Sequence, residues 1–65
     1  MEAYEIVGTP DELRLVREWA AYRPVTTERL DAKTMNVNLD DNHLEDELCD
    51  VCESYGIQCR LVGSF

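Results

Sequence analysis

The stretch VTTERLDAKTMNVNL, residues 25–39, decides how many strands the sheet of this protein contains. In its second half, Met35, Val37 and Leu39 alternate with polar residues. A period of two places these apolar side chains on one face of a half-buried strand. The second half of the stretch therefore predicts a strand.

The first half of the stretch, residues 25–32, is ambiguous. It opens with β-branched residues, which favour a strand, but Thr27 could also cap a turn of helix. We favour a strand that pairs with residues 34–39 as a hairpin around the residues DAK.

The residues GTPDELRLVREWAAYRP carry strong helix signals on the N-terminal side of the hairpin. Thr9 and Glu12 have the spacing of a capping box, and Pro10 occupies the first helical position. Pro24 follows the expected end, so a first helix is predicted from Pro10 to Arg23. Before this helix, the residues AYEIV alternate in the manner of a strand.

A second helix is predicted on the C-terminal side of the hairpin. Asp40 or Asp41 can cap it, and Gly56 can close it after Tyr55 in a left-handed conformation. The residues IQCRLVG then form the last predicted strand.

These elements follow one another in the order βαββαβ. The order is typical of a ferredoxin-like α+β sandwich, in which two helices cover one face of a mostly antiparallel sheet. If residues 25–32 form a turn of helix instead, the order becomes βαβαβ with three strands. In either case residues 1–65 make one small domain.

The charge of the chain is strongly negative and unevenly distributed. The formal net charge is −8, and seven of the fourteen acidic residues lie between Asp40 and Glu53. A negative surface repels phosphate, which disfavours direct binding to nucleic acid or to an anionic membrane, and it attracts basic protein surfaces. No apolar run approaches the ~20 residues needed to cross a bilayer, so we expect a cytoplasmic protein.

The residues HLEDELCDVCESYGIQC, at positions 43–59, contain the lone His and all three Cys. On a helical wheel His43 lies nearly opposite Cys52, so one tetrahedral site cannot take both. A metal or redox site would therefore use Cys49, Cys52 and Cys59. A second Cys-x-x-Cys pair is absent from the sequence, and neighbouring carboxylates oppose thiolate formation. We therefore expect these cysteines to pack as small apolar residues, without metal or cofactor.

Catalytic motifs are also absent from the sequence. It contains no Gly-x-Ser-x-Gly and no glycine-rich phosphate loop, and His43 has no obvious nucleophile beside it. We therefore expect a protein that is not an enzyme.

Two surfaces of the predicted helices are candidates for binding a partner. On the second helix, carboxylates face away from the apolar stripe and are spaced three or four residues apart. On the first helix, apolar residues cover about 180° of the wheel, more than the ~100° that packing requires. The candidate binding residues are Glu45, Asp46, Glu47, Asp50 and Glu53 on the second helix, and Leu15, Trp19 and Tyr22 on the first.

The leading hypothesis is an acidic protein-binding module, an inhibitor or adaptor that presents the second helix to a basic, nucleic-acid-binding site of a larger protein. The apolar residues of the first helix would anchor that partner or a second copy of the chain. In size and charge the chain is similar to phage-encoded inhibitors such as DNA mimics and anti-CRISPR proteins, although no motif ties it to one family. The alternative is a small thiol-based metal or redox protein.

Overall fold

The computed structural model describes residues 2–41 and 43–64, without the side chain of Ser64. Four strands and two helices follow one another as β1 (Glu2–Val7), α1 (Pro10–Ala20), β2 (Val25–Arg29), β3 (Thr34–Leu39), α2 (Leu44–Tyr55) and β4 (Gln58–Ser64). The strands form one antiparallel sheet in the order β2-β3-β1-β4. This arrangement confirms the ferredoxin-like prediction and excludes the three-stranded alternative.

The hairpin between β2 and β3 resolves the ambiguity of residues 25–32. Residues 25–29 pair with residues 35–39, and the Leu30 N–H donates to the Thr34 carbonyl at 3.0 Å. In the turn, a carboxylate oxygen of Asp31 accepts the Lys33 N–H at 2.8 Å, which holds the pKa of Asp31 below its usual value. An aspartate that binds the backbone two residues ahead stabilises a tight turn. The turn chemistry of DAK thus fixes the strand pairing.

One apolar core lies between the helices and one face of the sheet. The sheet contributes residues from β1 and β3, and each helix contributes its inward stripe. The core residues are Tyr4, Ile6, Leu13, Val16, Met35, Val37, Leu39, Leu44, Leu48, Cys52 and Ile57. The described residues include no buried charged side chain. Neither of the two described helices is long and apolar enough to cross a membrane.

Helix α1 begins as predicted and ends earlier than predicted. The Glu12 N–H donates to the Thr9 hydroxyl at 3.2 Å, and the Thr9 N–H donates to the Glu12 carboxylate at 2.8 Å, so the capping box is present. The helix ends at Ala20, not at Arg23, and a turn leads into β2. In this turn the Arg23 N–H donates to the Ala20 carbonyl at 3.1 Å, and Pro24 disfavours a helical conformation at Arg23 itself.

Helix α2 begins at Leu44, later than a cap at Asp40 or Asp41 predicts, and ends at Tyr55 as predicted. Asp41 does not cap the helix directly: its carboxylate accepts the His43 N–H at 2.9 Å and forms a turn before the first helical residue. At the other end, Gly56 adopts φ of 69° and ψ of 25° as predicted. Glycine adopts this left-handed conformation without the strain that a Cβ would cause.

The opposite face of the sheet is covered by neither helix and is mostly polar. Glu5 lies between Asn36 of β3 and Arg60 of β4, and Arg60 donates to its carboxylate at 3.0 Å. A shift of register in the pairing of β1 with β4 falls between Ala3 and Tyr4. At this irregularity, Leu61, which pairs with Tyr4, and the next residue, Val62, are about half exposed, at 52% and 48%.

Candidate protein-binding surface

Four carboxylates form an exposed row on α2, which we call the acidic ridge: Asp46, Glu47, Asp50 and Glu53. The opposite side of the helix buries Leu44, Leu48 and Cys52 in the core, which fixes the ridge toward solvent. Residues three or four apart on a helix are neighbours, with Cβ atoms about 5–6 Å apart. The predicted carboxylate row is therefore present over these four residues.

Glu45, the fifth predicted acid of this helix, is not part of the ridge. It is half-buried and contributes to the environment of the Tyr4 hydroxyl, which donates to the Glu2 carboxylate at 3.2 Å. Burial raises the pKa of Tyr4 strongly, and the carboxylates of Glu45 and Glu2 raise it further. Glu45 therefore faces β1, whereas the ridge faces solvent.

Glu47 is the ridge residue with a described ion-pair partner. Arg23, in the turn after α1, places its Nε 3.7 Å from a Glu47 carboxylate oxygen. The same guanidinium lies 4.9 Å from the centroid of the Trp19 ring, and its Nη1 donates to the Trp19 carbonyl at 2.6 Å. Arg23 thus joins the end of α1 to the first turn of α2 and offsets part of the charge of Glu47.

The position of each ridge residue along the helix decides how much its negative charge destabilises the helix. Acids near a helix N-terminus are stabilised by the partial positive charge of the macrodipole, and this applies to Asp46 and Glu47 in the first turn. Asp50 and Glu53 lie beyond that turn, and the last turn of α2 contains no basic residue. The C-terminal half of the ridge therefore has no compensation from the helix itself.

The predicted apolar anchor on α1 is divided by the early end of that helix. Leu15 and Trp19 are half-buried, and Trp19 packs against the core beneath Arg23. Tyr22 is 92% exposed in the turn that follows the helix. The helical wheel assumed a helix through Arg23, so it does not apply to Tyr22. The sequence also gave no signal for the partial exposure of Leu61.

The three cysteines, predicted to pack as small apolar residues, lie on α2 and on β4 and influence one another's ionisation. Cys49 is exposed, Cys52 is buried and Cys59 is half-buried, and all three are free thiols. Cys59 also packs against the core beside the buried stripe of α2. Sequence analysis named these three residues together as the alternative thiol site, although spacing along the chain could not show how Cys59 of β4 lies relative to the helix.

The three thiols are unequal in acidity. Burial raises the pKa of Cys49, and the negative charge of Cys59 and of neighbouring acids adds to this effect. The hydrogen bond to Cys59 and burial raise the pKa of Cys52. Hydrogen bonds from Cys52 and from Cys49 lower the pKa of Cys59, while burial opposes them. Cys59 is thus the thiol most readily ionised.

The His and Cys residues do not share a metal site among the described positions. His43 is exposed at the start of α2, and Cys52 lies in the core. In residues 2–41 and 43–64, no group of three or more His, Cys, Asp or Glu side chains is arranged to hold a metal ion.

No protein-family model, curated protein or solved structure matches this chain.

Proposed function

We propose that this protein is a non-enzymatic binding module whose acidic ridge occupies a basic, nucleic-acid-binding site of a larger protein. As an inhibitor or adaptor, it would compete with nucleic acid for that site. The observation that carries the proposal is a row of four exposed carboxylates on one face of a helix held in place by its buried stripe. The exposed carboxylates of Asp46, Asp50 and Glu53 can meet guanidinium and ammonium groups of a partner, and Glu47 is exposed beside Arg23.

The spacing of the ridge charges supports a basic site that normally holds nucleic acid. At 1.5 Å per residue, the four charges at positions 46, 47, 50 and 53 lie along about 10 Å of axis, in steps of about 1.5, 4.5 and 4.5 Å that average about 3.5 Å. Phosphates of one DNA strand follow one another at about 3.4 Å along the duplex axis. A groove lined with Lys and Arg for one strand would thus meet a similar charge density on the ridge.

The energetics of α2 favour a functional explanation over a purely solubilising one. Like charges at these spacings destabilise a helix by a few tenths of a kcal/mol per pair. A solubilising surface could alternate acids with bases, yet α2 contains no Lys or Arg among its twelve residues. The chain keeps an unfavourable charge pattern at Asp50 and Glu53, which is expected where the charge is needed for a partner.

The proposal is tested by reversing charge on the ridge and, separately, away from it. The ridge variant is Asp50→Lys with Glu53→Lys; the control is Glu18→Lys with Glu28→Lys, at exposed positions on α1 and β2. Each pair changes the net charge from −8 by four units to −4, so the two variants differ in where the charge lies. Circular dichroism should show that both remain folded.

Each immobilised protein is then incubated with extract of its native host, and bound proteins are eluted with double-stranded DNA. We expect the parent and the control to capture a nucleic-acid-binding protein that DNA displaces, and the ridge variant to lose at least tenfold in affinity for it. Equal capture by both variants, or a captured protein that DNA does not displace, would contradict the proposal.

A further inference from the structure

A small pocket lies between the last turn of α1 and the edge strand β2, on the side of the sheet that carries the helices. Thr27 and Arg29 of β2 pair with Val37 and Met35 of β3, whose side chains lie in the core. Paired residues of neighbouring strands share a face, so Thr27 and Arg29 also point toward the helices. Arg17, in the last turn of α1, lines the same pocket. Two arginines from different elements therefore meet at one pocket.

The hairpin turn holds the Arg29 guanidinium in place. Its Nε donates to the Asp31 carbonyl at 2.7 Å, and its Nη2 donates to the Ala32 carbonyl at 3.0 Å. Because a guanidinium has five N–H groups, others remain for a ligand. The turn has already fixed this side chain, so binding costs less rotamer entropy here than at a mobile surface arginine. Arg29 is thus a preorganised donor.

The charges of the two pocket arginines are not matched by acids in contact with them. In residues 2–41 and 43–64, no carboxylate oxygen lies within 4.0 Å of the guanidinium nitrogens of Arg17 or Arg29, whereas three other arginines form ion pairs: Arg14, Arg23 and Arg60. Asp31, in the turn beside Arg29, directs its carboxylate to the Lys33 N–H at 2.8 Å.

An external anion would remove the repulsion between these two like charges. The C-terminus of α1 favours a base at position 17 through the helix macrodipole, but this effect does not account for the second arginine at the same pocket. In a chain with a net charge of −8, bases that share a pocket without contacting an acid point to a ligand that carries the missing negative charge.

We propose that this pocket binds a small monocarboxylate, with its carboxylate between the guanidinium groups of Arg17 and Arg29 and its short apolar part against Met35. A carboxylate has about four acceptor sites, enough for N–H groups from both arginines and for the Thr27 hydroxyl. The inference does not rest on the function proposed for the acidic ridge, which lies on the other helix.

The size of the pocket and the charge of the chain select this class of ligand. Pockets for drug-sized molecules have volumes of about 300–1,000 Å³, and this pocket has about 200 Å³, which suits a molecule of only a few heavy atoms. The net charge of −8 disfavours a phosphate dianion, because the field of the chain repels each added negative charge. The buried side chain of Met35 gives the pocket an apolar wall for a short carbon chain.

The experiment adds sodium butyrate to the whole protein and follows the backbone amide signals by NMR. Saturable shifts should be confined to amides around the pocket, at Arg17, Thr27, Arg29 and Met35. Sodium phosphate and sodium chloride, each at matched ionic strength, should shift these signals more weakly. The absence of saturable shifts with butyrate, or equal or tighter binding of phosphate or chloride, would overturn the proposal.

Three variants test the residues of the pocket. Arg17→Gln and Arg29→Gln should each weaken butyrate binding by about tenfold or more, the loss expected for hydrogen bonds to a charged group. Arg29→Gln also removes two hydrogen bonds to the turn, so circular dichroism checks its fold, and Arg17→Gln tests the pocket without disturbing the hairpin.

The matched control is Arg14→Gln, which makes the same change of charge at an exposed position of the same helix, outside the pocket. It should bind butyrate nearly as tightly as the parent protein. If Arg14→Gln and Arg17→Gln weaken binding equally, net charge rather than the pocket retains the anion, and the proposal is wrong.

Discussion

The hydroxyl of Tyr4 lies between two acids, and sequence patterns gave no sign of it. Alternation along β1 predicted a strand, and in that strand Tyr4 is buried in the core. It could not show that the ring reaches the edge of the core, where its hydroxyl meets the carboxylate of Glu2 and the neighbourhood of Glu45. The hydrogen bond lies within β1, and the approach of Glu45 from the first turn of α2 depends on tertiary structure.

The environment of Tyr4 predicts a specific loss of stability in alkali. Burial and the neighbouring carboxylates raise its folded-state pKa above the ordinary value of 10.0. A group with a raised folded pKa contributes stability that is complete below its unfolded pKa and is lost as pH rises above it. The free energy of unfolding should therefore fall as pH rises above 10.

The Tyr4→Phe variant isolates this effect, because it keeps the ring and removes the ionisable hydroxyl. Urea unfolding measured between pH 9 and about pH 11.5, a range chosen around the ordinary tyrosine pKa, should show a steeper decline for the parent protein than for the variant. Parallel declines would mean that Tyr4 ionises as readily in the folded chain as in the unfolded one.

At the scale of secondary-structure elements, local patterns predicted the existence of every element and missed two of the ends. The β2 strand was ambiguous by composition and was decided by pairing with β3. The end of α1 depends on Pro24 and on the side chain of Arg23, which donates to the Trp19 carbonyl. The start of α2 depends on Asp41, which forms a turn in place of a cap. Helix ends were missed where side chains compete for backbone groups.

The capping box of α1 should contribute measurably to so small a domain. Thr9→Ala removes the hydroxyl that accepts the Glu12 N–H at 3.2 Å and is expected to lower the free energy of unfolding by about 1 kcal/mol. A domain of this length has roughly 3–10 kcal/mol in total. The control is Thr26→Ala at an exposed position of β2, where a change within about 0.5 kcal/mol is expected in urea unfolding. Equal effects at both positions would contradict a capping role.

The acidic end of α2 should show a conflict between stability and binding. Glu53→Lys places a positive charge near the C-terminus of the helix and beside Asp50. Both effects favour the helix, and together they should raise the free energy of unfolding by about 0.5 kcal/mol at low salt. The same variant should bind the captured partner more weakly. Unfolding and binding are measured on one preparation, and tighter or unchanged binding would remove Glu53 from the interface.

At the scale of the whole molecule, the fold separates acids into groups with different environments. Glu45 and Glu2 are engaged at Tyr4, Glu5 pairs with Arg60 on the open sheet face, and Glu47 meets Arg23. A sequence shows how many acids a segment contains, but not which ones are matched by bases from other elements. The three-dimensional arrangement leaves Asp50 and Glu53 as the least compensated part of the ridge.

The electrostatic field of the acidic ridge should be visible in the kinetics of association with a partner. Attraction between the ridge and a basic partner raises the association rate, and salt screens it with a Debye length of about 10 Å at 0.1 M. For the parent, the rate constant should fall steeply with increasing NaCl concentration, and the Asp50→Lys and Glu53→Lys pair should flatten this dependence. Stopped-flow mixing with the captured partner measures the slope of the association rate constant against NaCl concentration.

The Glu18→Lys and Glu28→Lys pair has the same net charge of −4 and should keep most of this slope, because its changes lie away from the ridge. If both pairs flatten the slope equally, total charge rather than the ridge controls the encounter.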